Sequence, residues 1–234
     1  MSNQKQTTQK YLERYRLGVI SRDNSLEQYN YFLQTMGEKK SLEEIVSKII
    51  IEKEKCRILD LGCGNAQALL EIKEKFSETV FTAGIDLIPA KTKIDVFIEG
   101  NIHEVIFPKE MDIIISFRAL HEMGFVEKII PKITQSLSSG GRAYLWLRIR
   151  EVITGESLFT GEMNEKEEAY LLQLSSQREL ENVRILAQPV YEPIPIHSAN
   201  SKKKSVITGF TIVMMKKIAM IKKNNVIKKE VVSQ

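Results

Sequence analysis

Two aspartates and a pair of glycines carry the chemistry this sequence offers most plainly. Asp60 stands just before Gly62-Cys63-Gly64 inside the stretch Cys56–Leu70, and Asp86 lies 26 residues beyond Asp60. An apolar run, Ile58–Leu61, breaks into the glycine pair, and a helix-compatible run, Ala66–Lys75, starts at once. Strand, glycine turn and helix in that order open a nucleotide-binding βαβ unit. Glycine accepts backbone angles that side chains forbid and lets a ligand approach the main chain. The helix that follows presents N–H groups that no carbonyl of its own can take. An acid at the carboxyl end of a strand sits where open α/β sheets bind ligands, and a carboxylate at the end of the next strand can accept from both hydroxyls of a ribose. The plainer reading of Asp86 is a strand-end turn or a helix cap. Gln67 stands where a third glycine would complete G-x-G-x-x-G, so the turn departs from the dinucleotide fingerprint.

The elements that must position these residues follow from pattern. Ser41-Leu42-Glu43-Glu44 is a capping box, and Leu42, Ile45, Val46, Ile49 and Ile50 continue at helical spacing until the charged break Glu52–Lys55. The glycine turn then leads into a helix over Ala66–Phe76. Thr79–Asp86, β-branched and aromatic, is the second strand. Pro89 leaves room for only a turn at Ala90–Lys93 before a third strand, Asp95–Glu99. Met111–Phe117 is nearly all apolar, as a strand buried on both faces reads. A helical pattern follows as far as Leu137, disturbed by Gly124 and Pro131, and Arg142–Ile149 is a fifth strand. Residues 151–163 form a loop, and Asn164-x-x-Glu167 caps a helix to Leu180. Val183–Pro195 and Ser205–Lys217 read as two long strands. Towards the N-terminus, Tyr11–Tyr15 and Leu26–Met36 place aromatics on amphipathic helical segments, read either as caps packed on the core or as a lid over a substrate.

At 234 residues and 43% hydrophobic, the chain suits one α/β domain with a full core. Cys56 and Cys63 fall in one strand–turn segment and read as small apolar fillers in a reducing compartment. His103, His121 and His197 are scattered, and no metal-ligand spacing occurs, so no metal is expected. The first ten residues lack the apolar stretch of a secretory signal, and no apolar run nears the length of a membrane span, so the expected location is the cytoplasm. Residues 202–234 hold nine lysines against Glu230, a balance of +8; the remaining 25 basic and 29 acidic side chains leave the body at −4. A solvated terminus is the favoured reading of that basic tail, ahead of nucleic-acid attraction.

Asp60-Leu61-Gly62-Cys63-Gly64-Asn65-Ala66 resembles motif I of the class I, Rossmann-like S-adenosylmethionine-dependent methyltransferases, with Ala66 in place of the motif's last glycine. The resemblance covers residues 41–217. It implies an α/β fold: a Rossmann-like, seven-stranded, mostly parallel sheet with helices on both faces and a C-terminal antiparallel hairpin. It also implies a methyltransferase domain over 41–217, a helical cap or lid over 1–40 and a basic tail over 218–234. Carried over residue by residue, it puts Asp60, Gly62, Cys63 and Gly64 against the cofactor, and Asp86 with Leu87 at its ribose. Gly100-Asn101-Ile102 stands where the family often has G-D-x, so Asn101 and Ile102 would meet the adenine, Asn101 without a carboxylate's charge. Met111–Phe117 resembles motif IV with Met111 for the usual aromatic; Ser116 and Phe117 would border the methionine end. Ser136–Gly141 resembles the family's loop before strand five, usually L-x-P-G-G.

His121, just past the fourth strand, is the candidate catalytic base; the plainer reading is a histidine packing at a helix start. The absence of N-P-P-[YF] counts against methylation of DNA adenine. The resemblance and the residues together point to S-adenosylmethionine-dependent methyl transfer to a hydroxyl or amine of a small molecule, with no membrane partner. An RNA methyltransferase using the basic tail, and a non-catalytic binding module, are the alternatives. A nicotinamide reductase is more distant, because the third glycine is missing.

Overall fold

The computed structural model describes residues 22–117, 119–120, 126–153, 156–157, 180–190 and 206–217, with residues 9, 12, 13 and 16. Expectations for Tyr11 and Tyr15, His121, the helix from Asn164, the segment His197–Lys204 and the tail 218–234 lie outside these residues. No described helix is long and apolar enough to cross a membrane.

Helix α1, Leu26–Thr35, starts at a capping box in which the Ser25 hydroxyl accepts the Gln28 N–H and the Gln28 side chain accepts the Ser25 N–H. Helix α2, Leu42–Lys53, starts at the expected box of Ser41 and Glu44. Strand β1, Cys56–Leu61, turns through the glycines into α3, Gln67–Phe76. A 3-10 turn, Ser77–Thr79, precedes β2, Val80–Asp86, and then come β3, Val96–Glu99, and β4, Met111–Ser116. Helix α4 spans Val126–Ser136 with Pro131 inside it. One missing backbone bond is outweighed there by burial of Ile129, Ile130 and Ile133. Strands β5, Leu137–Ile153; β6, Glu156–Ser157; β7, Leu180–Val190; and β8, Val206–Lys216, complete the elements among the described residues.

The sheet runs β3-β2-β1-β4-β5-β8-β7, with β6 on β5. Pairing from β3 to β5 is parallel, and β8 pairs antiparallel with β5 and β7. This is the expected Rossmann-like α/β sheet, mostly parallel and closed by an antiparallel pair. Several boundaries move. At the far end β5 runs on to Ile153, and β6 takes Glu156–Ser157 inside the expected loop 151–163, because these residues pair with each other and with β8. Strand β7 begins at Leu180, before the expected Val183. Strand β5 begins at Leu137, five residues before the expected Arg142, because Ser138–Gly141 is absorbed as an irregularity opposite Met111–Ile113. Gly140 takes φ +75°, and a Cβ on Gly141 would lie 2.7 Å from the Met111 carbonyl oxygen. Strand β7 ends at Val190, short of the expected Pro195.

Side chains alternate across a strand, and that period sorts the core into two layers. Ile58 of β1, Ile113 and Ile115 of β4, and Tyr144 and Trp146 of β5 face α1, α2 and α3, meeting Phe32, Leu33, Leu42, Val46 and Leu69. Leu59, Ile114, Ala143 and Leu145 face the other way, onto Ile129, Ile130 and Ile133 of α4. Helices therefore cover both faces. At the amino end of β4, the Asp112 carboxylate accepts from Lys53 Nζ (2.6 Å), the Ser138 hydroxyl (2.8 Å) and the Arg57 N–H (3.0 Å). That staple fixes α2, β1, β4 and β5 at the end of the sheet away from the glycine turn. The α1 cap is a local test of the fold: Ser25→Ala should lower unfolding free energy in urea by about 1 kcal/mol with an unchanged m-value.

Candidate functional site

Strand order reverses at β1, which has β2 on one side and β4 on the other. In open α/β sheets the crevice outside the carboxyl ends of such strands is the ligand site. Residues 62–66 and Ser116–Phe117 leave the sheet there.

The turn is built by left-handed backbone. Gly62 has φ +78° and Gly64 φ +59°. Ala66 also takes φ +59°, so the alanine adopts the conformation that the missing glycine would have taken freely. The Gly62 and Cys63 N–H groups both donate to the Ile85 carbonyl, at 2.7 and 3.2 Å, tying the turn to the end of β2. A Cβ on Gly84 would lie 2.6 Å from Cys63 Sγ, so the buried thiol fills the space that Gly84 leaves. Burial also pushes the thiol pKa well up, with Asp60 and Asp86 adding to it. That is the environment of an inert filler.

Alternation along β1 puts Asp60 on the face covered by α1, and α1 delivers Tyr29. The Tyr29 hydroxyl donates to Asp60 Oδ2 at 2.5 Å. Asp60 is 1% exposed, and its Oδ1 has no hydrogen-bond partner among the described residues. Burial raises the Asp60 pKa to about 7, against the lowering effect of the Tyr29 bond, and the Asp86 charge raises it further. An orphaned buried carboxylate oxygen beside a second acid is a place for a cation or a donor.

Asp86 is buried at the end of β2. Its Oδ2 accepts the Gly64 N–H at 2.8 Å, and its Oδ1 accepts the Ile88 N–H at 3.1 Å and Arg22 Nη2 at 3.2 Å. Burial lifts its pKa, opposed by Arg22 and the two backbone bonds. Arg22 lies across the turn: Nη2 also donates to the carbonyls of Gly64 (2.9 Å) and Ile88 (2.5 Å), and Nη1 to that of Pro89 (3.2 Å). The Arg22 carbonyl accepts the Asn65 N–H at 2.9 Å, and Asn65 Nδ2 donates to Asp23 at 2.5 Å.

The remaining sequence-predicted residues join this centre by short links. Leu87 is half-buried beside Asp86. The Gly100 N–H donates to the Asp86 carbonyl at 2.9 Å, bringing Asn101 and Ile102 alongside. Asn101 Oδ1 accepts the His103 N–H at 3.0 Å, which leaves that amide oxygen one further lone pair. Ile102 is buried among the α4-side residues. The Ser116 hydroxyl donates to the Leu61 carbonyl at 2.7 Å. Phe117 meets Tyr29 edge-on, ring centroids 5.0 Å apart, and Phe32 at 5.5 Å; Phe32 in turn meets Trp146 at 4.9 Å. His121 lies outside the described residues. No cluster of metal-ligating side chains occurs among the described residues.

Sequence reasoning missed Arg22, and with it the partner of Asp86. The available signal was Ser25-x-x-Gln28, a second capping box, which marks Arg22 as the approach to a helix. Tyr29 was visible as an aromatic of that helix, but its bond to Asp60 was not.

The buried Asp60 makes folding pH-dependent. Its pKa is raised on folding, so the folded chain binds more protons than the unfolded one between about pH 4 and about 7. Stability is therefore fully present at the acid end and falls as pH rises through that window, by up to about 1.4 kcal/mol per pH unit. Asp86, also raised, acts in the same direction. Asp60→Asn keeps an acceptor for Tyr29 and should flatten that fall, measured by denaturation at successive pH values.

The chemistry of the residues present suits S-adenosylmethionine: Asp60 and Asp86 are two buried acceptors beside the glycine turn, and Asp60 Oδ1 has no partner among the described residues. No curated protein sequence matches the chain. Among solved structures, the plantazolicin methyltransferase BpumL is 16% identical, covering 75% of this chain and 82% of that one, with a TM-score of 0.48. Precorrin-6y C5,15-methyltransferase from Geobacter metallireducens is 13% identical, covering 76% and 90%, at 0.45. The YcgJ protein from Bacillus subtilis is 15% identical, covering 75% and 99%, at 0.41. The family model for the methyltransferase domain matches residues 52–188, more than half of the chain and all of the glycine turn, β2 and β4. The chain therefore belongs to the methyltransferase domain family, of the class I, S-adenosylmethionine-dependent kind that its turn resembles.

Proposed function

We propose that this methyltransferase transfers the methyl group of S-adenosylmethionine to a hydroxyl or amine of a small molecule. The observation that carries the cofactor half is the pair of buried acids, Asp60 and Asp86, flanking the glycine turn at the point where strand order reverses. When bound, the cofactor supplies a methyl activated on a sulfonium; the protein's part is to hold and orient. Asp86, followed by Leu87, would take the ribose hydroxyls. Asn101 and the backbone at Ile102 would take the adenine edge. Asp60 would hold the cationic methionine end, with Gly62, Cys63 and Gly64 forming the turn beneath it. Ser116 and Phe117 would border the transferring methyl, and the Phe117–Tyr29–Phe32 rings would keep water from it. His121 is assigned as the base that takes the acceptor's proton.

A small acceptor is supported by the acidic balance of residues 1–201 and by the aromatic residues that α1 places over the carboxyl end of the sheet. Residues 1–40 would then cover the acceptor, 41–217 carry the transfer and 218–234 serve as a solvated tail in the cytoplasm. Thermal unfolding with S-adenosylmethionine, S-adenosylhomocysteine, NAD and NADP in parallel tests the cofactor. A ligand at a hundred times its dissociation constant adds about 2.7 kcal/mol, a shift of several degrees. A shift with the nicotinamide nucleotides alone overturns the reading, and no shift with any of the four favours a non-catalytic module. Retention of RNA at low salt, lost on deleting 218–234, would move the acceptor to RNA.

A further inference from the structure

We propose that Arg22 is a built-in competitor for the ribose of the cofactor: its guanidinium holds the Asp86 position that the ribose diol needs, and cofactor binding displaces it. The inference rests on the S-adenosylmethionine reading. A carboxylate offers about four lone-pair directions. Three are in use at Asp86 among the described residues, by the N–H groups of Gly64 and Ile88 and by Arg22 Nη2. A ribose diol brings two donors, so one of the three must leave.

The two backbone donors are fixed. Ile88 N–H closes a turn two residues from Asp86. Gly64 follows directly on Gly62 and Cys63, whose N–H groups are both bonded to the Ile85 carbonyl. Arg22 is the donor on rotatable bonds. Its Nη2 sits 3.2 Å from Asp86 Oδ1 while also reaching the Gly64 and Ile88 carbonyls, so the guanidinium meets the acid and the turn together, as a diol-bearing ligand would. Gly64 shows the closeness of the approach: a Cβ there would lie 2.3 Å from the Arg22 carbonyl oxygen. The segment's backbone anchor, Asn65 N–H to the Arg22 carbonyl, does not depend on the Arg22 side chain. The guanidinium can therefore yield while the main chain stays docked, and its substitution isolates the competition.

Calorimetric titration of wild type, Arg22→Ala and Arg22→Lys with S-adenosylhomocysteine tests this. Arg22→Ala should bind roughly tenfold or more tightly than wild type, the scale of one charge-assisted hydrogen bond no longer displaced. Arg22→Lys, whose single ammonium cannot serve Asp86 and three carbonyls at once, should fall between them, and it carries the test if the alanine variant fails to fold. The gain must belong to the diol: ligand-observed NMR should show it for adenosine and not for 2′,3′-dideoxyadenosine. Equal or weaker binding by the folded variants overturns the proposal and leaves the cofactor reading standing, with Arg22 a positioning residue for Asp86. An equal gain for the dideoxy ligand also overturns it. If neither wild type nor variant binds S-adenosylhomocysteine, the cofactor reading falls and this proposal with it.

Discussion

Asp86→Ala should destabilise the fold by about 3–5 kcal/mol and weaken S-adenosylhomocysteine binding by about 1–3 kcal/mol. The first effect comes from Arg22. Both side chains are almost fully buried, at 2% and 5% exposure, so removing the acid strands a guanidinium among the carbonyls of Gly64, Ile88 and Pro89 without its counter-charge. Breaking a buried pair from one side costs far more than the pair contributes when intact. The second effect comes from the ribose, which loses its acceptor. Asp86→Asn separates the two: it keeps the size and one acceptor oxygen, so more of the fold survives, while the charge assistance goes. Denaturation and calorimetry on both variants read the two effects independently. Full affinity for S-adenosylhomocysteine in a folded Asp86→Ala protein would remove Asp86 from the ribose.

Gly64→Val should cost about 3 kcal/mol or more of stability and abolish cofactor binding. Two penalties add. A non-glycine residue in the left-handed region costs about 1–2 kcal/mol, more when branched at Cβ, and Gly64 sits at φ +59°. The new Cβ would also meet the Arg22 carbonyl oxygen at 2.3 Å, and the neighbour in the way is backbone, which cannot swing aside as a side-chain tip would. Either the turn or the Arg22 segment has to move, and Gly64 N–H leaves Asp86 with it. Urea denaturation gives the first number and titration with S-adenosylhomocysteine the second. A variant that binds normally would show that the turn does not shape the cofactor site.

Residues whose fate depends on neighbours in the chain were legible in advance. The capping box at Ser41, the strand–glycine–helix run of Cys56–Phe76 and the apolar strand Met111–Ser116 are local patterns, each enforced by backbone geometry and by the period of a helix or a strand. Their order then restricts the sheet, because parallel strands need crossovers and crossovers have one hand. The exceptions are just as physical. Ser136–Gly141 read as a loop because it resembles the family's loop before strand five; in place Leu137 opens β5 and Ser138–Gly141 forms an irregularity inside it, since β4 beside them supplies a partner. The bond that the Asn101 side-chain oxygen accepts from the His103 N–H, two residues on, was not legible either; it leaves that oxygen one lone pair.

The sequence by itself determined where the turn lies, that an acid ends each of the first two strands, and that apolar residues alternate to bury both faces of the sheet. These follow from side-chain type and short-range spacing. Only the tertiary structure decided what the two acids meet. Tyr29 reaches Asp60 across 31 positions and Arg22 reaches Asp86 across 64. No periodicity links residues so far apart; their pairing depends on how α1 and the segment before it dock on the sheet, a packing outcome of the whole aromatic and aliphatic layer from Phe32 to Trp146.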